Sequence, residues 1–212
     1  MKTIIYTQRV DFHKKINETR DSLDHRWISI ANKLKLNPII LPNISNTKIN
    51  TLIKKKPELI VLTGGNDILL NNKKMSNTSK KRDILEMSLI KFAIKKNIPL
   101  IGVCRGMQII NIYFNGKISP IKNHVAKEHR IYYDRKNEKY FSNYVNSFHN
   151  WGIKKNELSS KLTPIAKDDD SGIECFIHKT KNIMGIMWHP ERRRNRKDIL
   201  IFQKIIEKKW QR

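Results

Sequence analysis

The sequence predicts an α/β fold in which helices flank a central, mostly parallel sheet. Strand-like and helix-like runs alternate over residues 1–116, and this order is typical of parallel strands joined by right-handed crossovers. The run at residues 58–63 is apolar at successive positions, which indicates a strand buried on both faces. Neither an internal repeat nor a linker divides the 212 residues. We therefore expect a single domain over residues 1–212.

A polar loop is expected between the first strand and the first helix. Residues 2–6 read as a strand, whereas residues 11–21 are polar and loop-like. Asp21 and Ser22 are residue types that cap helices, and the apolar residues after them recur at helical spacing. Those apolar residues are Leu23, Trp27, Ile30, Ala31 and Leu34. An amphipathic helix that begins after this cap is therefore predicted.

The other elements of the first half follow from apolar runs and from proline positions. Proline bounds a short strand at residues 38–42, and Pro57 ends a short helix near residues 49–53. The polar segment 71–79 is expected to be a mobile loop. Residues 80–96 have helical periodicity, with an apolar face of Ile84, Leu85, Met87, Ile90, Ala93 and Ile94.

The pattern changes after Gly116, where the chain acquires β character. Residues 118–144 are basic and irregular, with short strands expected near residues 131–133. Three strand-like runs follow at residues 162–166, 172–178 and 182–189, and the last helix is expected over about residues 198–209. This half predicts a small additional β region beside the parallel sheet.

A strand, a tight turn and a helix are expected around Cys104. Residues 99–103 form an apolar run, and Gly102-Val-Cys104-Arg-Gly106 passes directly into a helical pattern that stops at Gly116. Flanking glycines permit the strained turn that exposes one nucleophilic side chain at a strand–helix junction. The helix N-terminus favours the thiolate form of cysteine. Cys104 is therefore a candidate nucleophile, and a small buried core cysteine is the alternative.

His189 and Glu191 lie just past the end of the predicted strand at residues 182–189. Side chains two residues apart in an extended chain point the same way, and Pro190 restrains His189 to extended geometry. Glu191 would then orient His189, which would accept the proton of Cys104. His-Pro-Glu by itself is more often a surface turn, but its combination with the cysteine motif predicts a catalytic triad.

Gly64 and Gly65 follow the buried strand at residues 58–63. Reactive groups in open α/β sheets collect at the carboxyl ends of the strands, so this pair and Cys104 are expected to meet. The backbone N–H groups of the glycines, with that of Arg105, form a candidate oxyanion hole. A plain glycine turn is the alternative.

Composition limits the partners of the chain. It carries 43 Lys and Arg residues against 19 Asp and Glu, a net charge of +24, so an anionic partner is expected, with a solvated basic surface as the alternative. No nucleic-acid-binding signature, membrane span, signal peptide or metal cluster is recognised. Cys104 and Cys175 form no disulfide framework, and Cys175 is expected in the core. A cytoplasmic protein without nucleic-acid or membrane partners is predicted.

Four motifs in the chain together carry a family resemblance. They are Leu-Thr-Gly-Gly-Asn-Asp at 62–67, Gly-Val-Cys-Arg-Gly-Met-Gln at 102–108, Val-Asn-Ser-Phe-His at 145–149 and Trp-His-Pro-Glu at 188–191. The set resembles the class I glutamine amidotransferase-like superfamily, in particular its γ-glutamyl hydrolase branch of peptidase C26 type, over nearly the whole chain. The resemblance implies a flavodoxin-like sheet. It also implies a Cys104–His189–Glu191 triad that attacks a γ-glutamyl carbonyl through a thioester.

The same resemblance implies the roles of further residues. The N–H groups of Gly65 and Arg105 would form the oxyanion hole, and no cofactor or metal is implied. The substrate-binding residues would be Gly64, Gln108, Asn146, Ser147, Phe148 and His149. Among these, Gln108 and residues 146–148 would hold the α-amino and α-carboxylate groups of the glutamyl moiety. His149, with Trp151, His124 and His129, would line the pocket or else serve structural roles.

Two details favour a hydrolase over an ammonia-supplying glutaminase subunit. Classical glutaminase subunits usually have proline after the Gly-Gly pair, where this chain has Asn66 and Asp67. The run at residues 145–149 also looks like stand-alone hydrolases, such as the γ-glutamyl-γ-aminobutyrate type. A separate synthetase partner stays open as the alternative, and the oligomeric state is not fixed. A non-catalytic basic binding protein is disfavoured because the triad residues are intact.

A narrower resemblance concerns the leaving group of the γ-glutamyl amide. The small size, the Lys-, Asn- and Ile-rich composition and the Trp-His-Pro-Glu-Arg-Arg-Arg ending look like enzymes of capsule modification that cleave γ-glutamyl-CDP-amidate. Such a reaction releases glutamate and leaves cytidine diphosphoramidate. A pyrophosphate would suit arginine forks, which Arg192, Arg193, Arg194 and Arg196 would supply. A solvated basic turn is the alternative for each arginine.

Overall fold

Strands and helices alternate in the first half of the chain, and β structure dominates the second half. The computed structural model describes residues 2–43, 49–69, 78–122, 124–193, 195–208 and 210. Its strands are β1 (Thr3–Tyr6), β2 (Arg9–His13), β3 (Glu18–Ser22), β4 (Asn37–Ile40), β5 (Leu59–Leu62), β6 (Leu100–Val103), β7 (Ser119–Pro120), β8 (Val125–Arg130), β9 (Tyr132–Tyr133), β10 (Tyr144–Phe148), β11 (Trp151–Gly152), β12 (Leu162–Lys167), β13 (Ile173–His178) and β14 (Ile183–Ile186). Its α-helices are α1 (Arg26–Lys33), α2 (Ile49–Leu52), α3 (Lys80–Lys96), α4 (Arg105–Tyr113) and α5 (Arg196–Ile206).

Eight of these strands form one central sheet, in the order β4-β1-β5-β6-β14-β13-β12-β9. The first five in this order are parallel, and the last three pair antiparallel. The predicted α/β fold with a mostly parallel sheet is confirmed. Because β5, β6 and β14 are neighbours and run the same way, their carboxyl ends share one edge of the sheet. The residues that follow these three strands are therefore brought together.

Helices cover the sheet with an apolar layer on each face. On one face, Trp27 of α1 and Phe202 of α5 pack in a cluster with inward residues of the parallel strands. On the other, Leu89 of α3 and Ile110 of α4 pack with Ile60 and its neighbours. Alternate residues of each buried strand serve opposite layers, which is why these strands read as unbroken apolar runs.

The predicted loop over residues 11–21 is wrong, because this segment forms a β-hairpin. β2 and β3 pair from Arg9 with Ser22 to His13 with Glu18, around a short 3-10 turn that ends at Asn17 with φ of 53°. β3 contains no apolar residue and the hairpin is largely exposed, so only the short β2 shows the alternation that identifies a strand. The side-chain amide of Asn66 bonds both backbone groups of Val10, which ties the hairpin to the Gly64–Gly65 turn.

Two details of the predicted helices are also wrong. Asp21 and Ser22 belong to the hairpin rather than to an N-cap; α1 begins at Arg26, where the Asp24 carboxylate accepts the backbone N–H. In α3 the expected apolar position Ile84 is 46% exposed, while charged side chains of the same helix are fully buried. Those residues, Arg82 and Glu86, pair with each other, and Glu86 also pairs with Arg105 of α4, a relation that apolar periodicity does not reveal.

The additional β region is more regular than predicted. β8, which falls in the segment expected to be irregular, pairs antiparallel with β10. Of the expected loop at 71–79, residues 71–77 lie outside the described residues. Within the described ranges, no helix combines the length and apolar character needed to cross a membrane.

Candidate active site

Cys104 occupies the turn between β6 and α4. Its backbone has φ of 53° and ψ of −107°, a strained geometry for a residue with a Cβ atom. The turn is tight enough that a Cβ on Gly106 would lie 2.0 Å from the main-chain oxygen of Leu62, so only glycine fits there. Cys104 is 6% exposed. The strand–turn–helix geometry expected from the sequence is therefore present, with the thiol at its apex.

His189 and Glu191 lie beyond the end of β14, as the sequence predicts. Nδ1 of His189 is 2.6 Å from Oε1 of Glu191. His189 is extended, but the chain then enters a 3-10 turn, Pro190–Arg192, which brings the carboxylate back to the ring. The expected extended geometry through Glu191 is thus replaced by a turn. Because Glu191 occupies Nδ1, the other ring nitrogen is left to exchange a proton with a nucleophile.

The Cys104 and His189 side chains line one cavity, so the thiol and the imidazole face the same space. Burial lowers the pKa of His189, but Cys104 and then Glu191 outweigh it and raise the pKa to about 9. The imidazolium is favoured because Cys104 and Glu191 both interact with the same ring. The arrangement can therefore hold a proton on His189 next to a nucleophilic sulfur.

The backbone of His189 is fixed by Asn146 of β10. The His189 N–H donates to Oδ1 of Asn146 over 2.8 Å, and Nδ2 of Asn146 donates to the His189 oxygen over 3.1 Å. Asn146 and its neighbour Ser147 are both buried, and Ser147 Oγ donates to the main-chain oxygen of His124. The hydrogen bonds of these two expected substrate-binding side chains are thus internal to the protein.

The Gly64–Gly65 turn packs directly against His189. A Cβ on Gly64 would lie 2.7 Å from Cε1 of His189, and Gly65 has φ of 83°, a left-handed conformation that favours glycine. As the first residue of α4, Arg105 has a backbone N–H without an acceptor one turn earlier. The turn and the start of α4 therefore border the same space as the triad.

A buried cluster of charged residues holds the Gly64–Gly65 turn through hydrogen bonds to its main-chain oxygens. Arg82 of α3 donates to the main-chain oxygens of Thr63, Gly64 and Gly65 over 2.7, 3.0 and 2.5 Å, and to Glu86 over 2.9 Å. The side chain of Arg105 bonds Glu86 and Asp83. Burial lowers the pKa of Arg82 to about 10, against the pull of Glu86, and the guanidinium stays charged at neutral pH. Arg82 is a site residue that sequence reasoning missed.

A cavity of about 310 Å³ surrounds the Cys104 thiol. Its walls include Gly65, Arg105, Gln108, Phe148, His149 and His189. A second cavity of about 490 Å³ adjoins it and includes Gly64 and Glu191, and the two cavities share Arg9 and Arg192. The Arg192 guanidinium lies 4.4 Å from the centre of the Phe148 ring. Arg9, at the start of the hairpin that was expected to be a loop, is also a site residue missed from the sequence.

The other arginines of the basic run lie elsewhere. Nη2 of Arg193 donates to the main-chain oxygen of Tyr144 over 2.9 Å, and Nη1 lies 3.6 Å from Asp198. Arg196 lines a different surface depression, and Arg194 lies outside the described residues. Arg192 is thus the member of the run that the described structure places at the two cavities.

Gln108 and His149 share one backbone acceptor. Nε2 of Gln108 donates to the Trp151 oxygen over 2.8 Å, and Nδ1 of His149 lies 3.0 Å from the same oxygen. Burial lowers the pKa of His149 to about 3, so this ring is neutral and its Nδ1 carries the proton. Cys175 is fully buried on β13, and burial raises its thiol pKa, as expected for a core cysteine.

A β-bulge produces a histidine cluster that sequence reasoning missed. His124 and His129 are five residues apart, a spacing that places side chains on opposite faces of a regular strand. Here Phe148 pairs with Val125 while Ser147 pairs with Lys127, so Ala126, with φ of 55°, is an extra residue. The bulge brings the two imidazole rings to a centroid distance of 5.0 Å. None of the residue types in this stretch predicts a bulge.

Comparison with known proteins identifies relatives across most of the chain. The family model for peptidase C26 matches residues 4–191. A γ-glutamyl-CDP-amidate hydrolase from Campylobacter jejuni is 38% identical over 201 residues, covering 93% of this chain and 94% of that protein. A subunit of glutamine-hydrolyzing GMP synthase from Methanocaldococcus jannaschii is 27% identical over 171 residues, 78% of each chain.

Solved structures support the fold independently of close sequence similarity. A glutamine amidotransferase from Thermotoga maritima superposes with a TM-score of 0.66 at 17% identity, covering 98% of this chain and 85% of that one. At this identity the likeness shows the fold alone. The mostly parallel sheet with flanking helices is that of class I glutamine amidotransferase-like proteins.

Proposed function

The chain belongs to the peptidase C26 family and is a γ-glutamyl hydrolase, and we propose that its substrate is a γ-glutamyl-CDP-amidate. The products are glutamate and cytidine diphosphoramidate, which serves capsule modification. The observation that carries this proposal is the Cys104–His189–Glu191 relay beside a cavity lined by arginine. The reaction needs neither a metal nor a cofactor at the triad.

Cys104 is the nucleophile of the proposed reaction. Its thiolate attacks the γ-carbonyl carbon, and the tetrahedral oxyanion accepts hydrogen bonds from the N–H groups of Gly65 and Arg105. His189 donates its proton to the leaving nitrogen, the C–N bond breaks, and a thioester remains on Cys104. Water then attacks the thioester with His189 as the base, so that glutamate leaves and the thiolate is restored.

The glutamyl group occupies the cavity of about 310 Å³ beside Cys104. Gln108 is held by its bond to the Trp151 oxygen, and its amide oxygen accepts from the α-ammonium group. Phe148 and His149 line the same space, while Asn146 acts through the His189 backbone. The substrate-binding roles of Gly64 and Ser147 stay predictions of the family resemblance.

The two arginines shared by both cavities account for an anionic leaving group. Arg9, which pairs with Asp11 over 2.8 Å, and Arg192 line both the Cys104 cavity and its larger neighbour. Guanidinium groups bind phosphate oxygens in forked, charge-assisted pairs. A diphosphate at this junction places the nucleoside in the cavity of about 490 Å³. The net charge of +24 also favours a polyanionic substrate, and the free thiols favour the reducing cytoplasm.

A substrate comparison tests the proposal against a second candidate. The match to a GMP synthase subunit favours, as the alternative, a glutaminase that supplies ammonia to a synthetase. Purified protein is incubated with glutamine, γ-glutamyl-γ-aminobutyrate and γ-glutamyl-CDP-amidate, and glutamate release is measured. Cys104→Ala is the inactive control, and Cys175→Ala controls for loss of a buried thiol away from the cavity.

We expect strong turnover of the nucleotide conjugate alone. Turnover confined to glutamine with an added synthetase would replace the proposal by the second candidate. A preference for γ-glutamyl-γ-aminobutyrate would support a γ-glutamyl hydrolase but reject a nucleotide-bearing substrate. Equal rates for wild type and Cys104→Ala on every substrate would overturn both enzyme functions.

A further inference from the structure

Three potential metal ligands converge where the two-stranded β8–β10 sheet meets the central sheet. One side-chain donor atom from each of His124, His129 and Glu174 lies within 4.8 Å of the others. Nε2 of His129 is 3.3 Å from Oε2 of Glu174. Donor atoms in a tetrahedral zinc site lie about 3.3–3.5 Å apart, since each is about 2.0–2.2 Å from the ion. The His129–Glu174 contact matches this spacing, and the donor atom of His124 lies within 4.8 Å of both.

The donor atoms of this cluster lack hydrogen-bond partners. Within the described part of the chain, the buried atoms without a partner include Nδ1 of His124, Nε2 of His129, Nε2 of His149 and Oε2 of Glu174. The 3.3 Å contact between His129 and Glu174 is close enough for an ion pair but does not have hydrogen-bond geometry. Buried polar groups are almost always paired. Four unpaired buried nitrogen and oxygen atoms in one place therefore indicate that a bonding partner is missing.

Glu174 is buried among these imidazole rings. This side chain is 2% exposed, and a buried carboxylate is stable only when it is paired or coordinates a metal. His149 approaches the other oxygen, with Nε2 4.0 Å from Oε1. Since Nδ1 of His149 donates to the Trp151 oxygen, its Nε2 carries a lone pair. A lone pair that faces a carboxylate oxygen is satisfied by a proton or a metal ion between them.

We propose that His124, His129 and Glu174 bind a divalent transition-metal ion of the zinc class, with His149 closest to the fourth position. Two imidazoles and one carboxylate form a donor set that zinc accepts. The ion reaches the cluster through a cavity of about 730 Å³ whose walls include His124, His149 and Glu174.

The ion links two parts of the fold rather than touching the substrate. Glu174 belongs to β13 of the central sheet, whereas His129 belongs to β8, the partner of β10. β10 carries Asn146, which fixes the His189 backbone. The metal thus stabilises the two-stranded β8–β10 sheet that orients His189, and its binding site is separate from that of the proposed substrate.

Metal analysis of the untagged protein tests this site without reference to activity. Protein purified from zinc-supplemented medium without chelators is expected to hold about one zinc per chain. EDTA should remove the zinc and lower Tm, and added Zn²⁺ should restore both. Co²⁺ loaded into the stripped protein should show visible d–d absorption of nitrogen and oxygen ligation. Less than about 0.1 metal per chain, with no Tm shift on adding Zn²⁺, would overturn the proposal.

Substitutions locate the ion. His129→Gln and Glu174→Gln are expected to weaken zinc binding at least about tenfold, while His25→Gln, an exposed histidine on another element, retains full content. Zinc retained at wild-type affinity in both cluster variants would place it elsewhere and reject the site. If the variants do not fold, the stoichiometry, Tm and Co²⁺ spectrum of the wild type decide the question.

Discussion

The side-chain amide of Asn146 pairs with both backbone groups of His189. It accepts from the His189 N–H over 2.8 Å and donates to the His189 oxygen over 3.1 Å, and both residues are buried. One amide therefore substitutes for a strand partner at the point where β14 has ended. The position of the His189 imidazole therefore depends on a residue of the neighbouring two-stranded β8–β10 sheet.

Asn146→Ala is expected to lower kcat about 10- to 100-fold with a smaller change in KM, because displacement of a catalytic group by a fraction of an ångström is costly. Loss of the two bonds should also reduce the free energy of unfolding by about 1–3 kcal/mol. Steady-state kinetics and urea unfolding measure the two effects. Asn146→Asp, which keeps the acceptor but loses the donor, should fall between. A pure KM effect would assign Asn146 to substrate binding instead.

Arg82→Lys should impair the oxyanion turn. One guanidinium bonds the oxygens of Thr63, Gly64 and Gly65, and an ammonium group cannot reproduce this planar set of donors. We expect kcat to fall by about 10²-fold, the size of effect seen when an oxyanion donor is displaced. Stability should fall by up to about 3–5 kcal/mol, because Glu86 loses one of its buried partners.

An exposed arginine provides the control for that substitution. Arg20 pairs with Glu18 at the surface of the hairpin, so Arg20→Lys should change neither kcat nor Tm measurably. Kinetics are recorded well below the Tm of each variant. Wild-type kcat in a destabilised Arg82→Lys would show that the arginine stabilises the fold without positioning the turn.

The parts of the site that were predictable from sequence are those fixed by local rules. The elbow at Cys104 needs glycines beside it, and His189 and Glu191 follow the end of an apolar run. Buried parallel strands are recognised because both of their faces are apolar. These relations lie within a few residues, so a single sequence displays them.

The features that escaped prediction depend on residues distant in sequence. Arg82 looks like a surface residue of α3 until Glu86 and the Gly64–Gly65 turn are placed around it. The β3 strand of the β2–β3 hairpin is entirely polar, and the hairpin is held by Asn66 from another loop. The cluster of His124 and His129 depends on a bulge at Ala126. In each case tertiary contacts, rather than local propensity, decide the outcome.

The activity of the wild type should decline as the pH rises through about 9. His189 has a pKa raised from the usual 6.5 to about 9 by Cys104 and Glu191 against the effect of burial, and it must be protonated to donate to the leaving nitrogen. A raised pKa also means that the contribution of His189 to stability is complete below pH 6.5 and is lost as the pH rises through about 9. The pH profile of kcat/KM and Tm measurements test both expectations.

Glu191→Gln should move that alkaline limb to lower pH. The amide keeps a hydrogen-bond acceptor near Nδ1 but removes the charge that stabilises the imidazolium. A matched change is Glu18→Gln in the exposed hairpin, which should leave the profile unaltered. An alkaline limb at the same pH in Glu191→Gln and wild type would exclude His189 as the titrating group.

Arg192→Met should separate nucleotide substrates from simple γ-glutamyl amides. Methionine preserves apolar contact with Phe148 but removes the charge that faces both cavities. Loss of a charge-assisted bond to phosphate costs about 1.5–3 kcal/mol, so KM for γ-glutamyl-CDP-amidate should rise about 10- to 100-fold. KM for γ-glutamyl-γ-aminobutyrate should stay near that of wild type, because this substrate has no phosphate.

Arg193→Met is the matched control because Arg193 is adjacent in sequence but bonds Tyr144 and lies near Asp198. Any effect of this substitution should be the same for both substrates, since it acts through the fold. Added salt should weaken the wild-type preference for the nucleotide substrate and leave Arg192→Met less affected, because salt screens the same charge. An equal rise in KM for both substrates in Arg192→Met would contradict phosphate binding at this junction. The protein would then remain a γ-glutamyl hydrolase, but the proposed nucleotide substrate would be rejected.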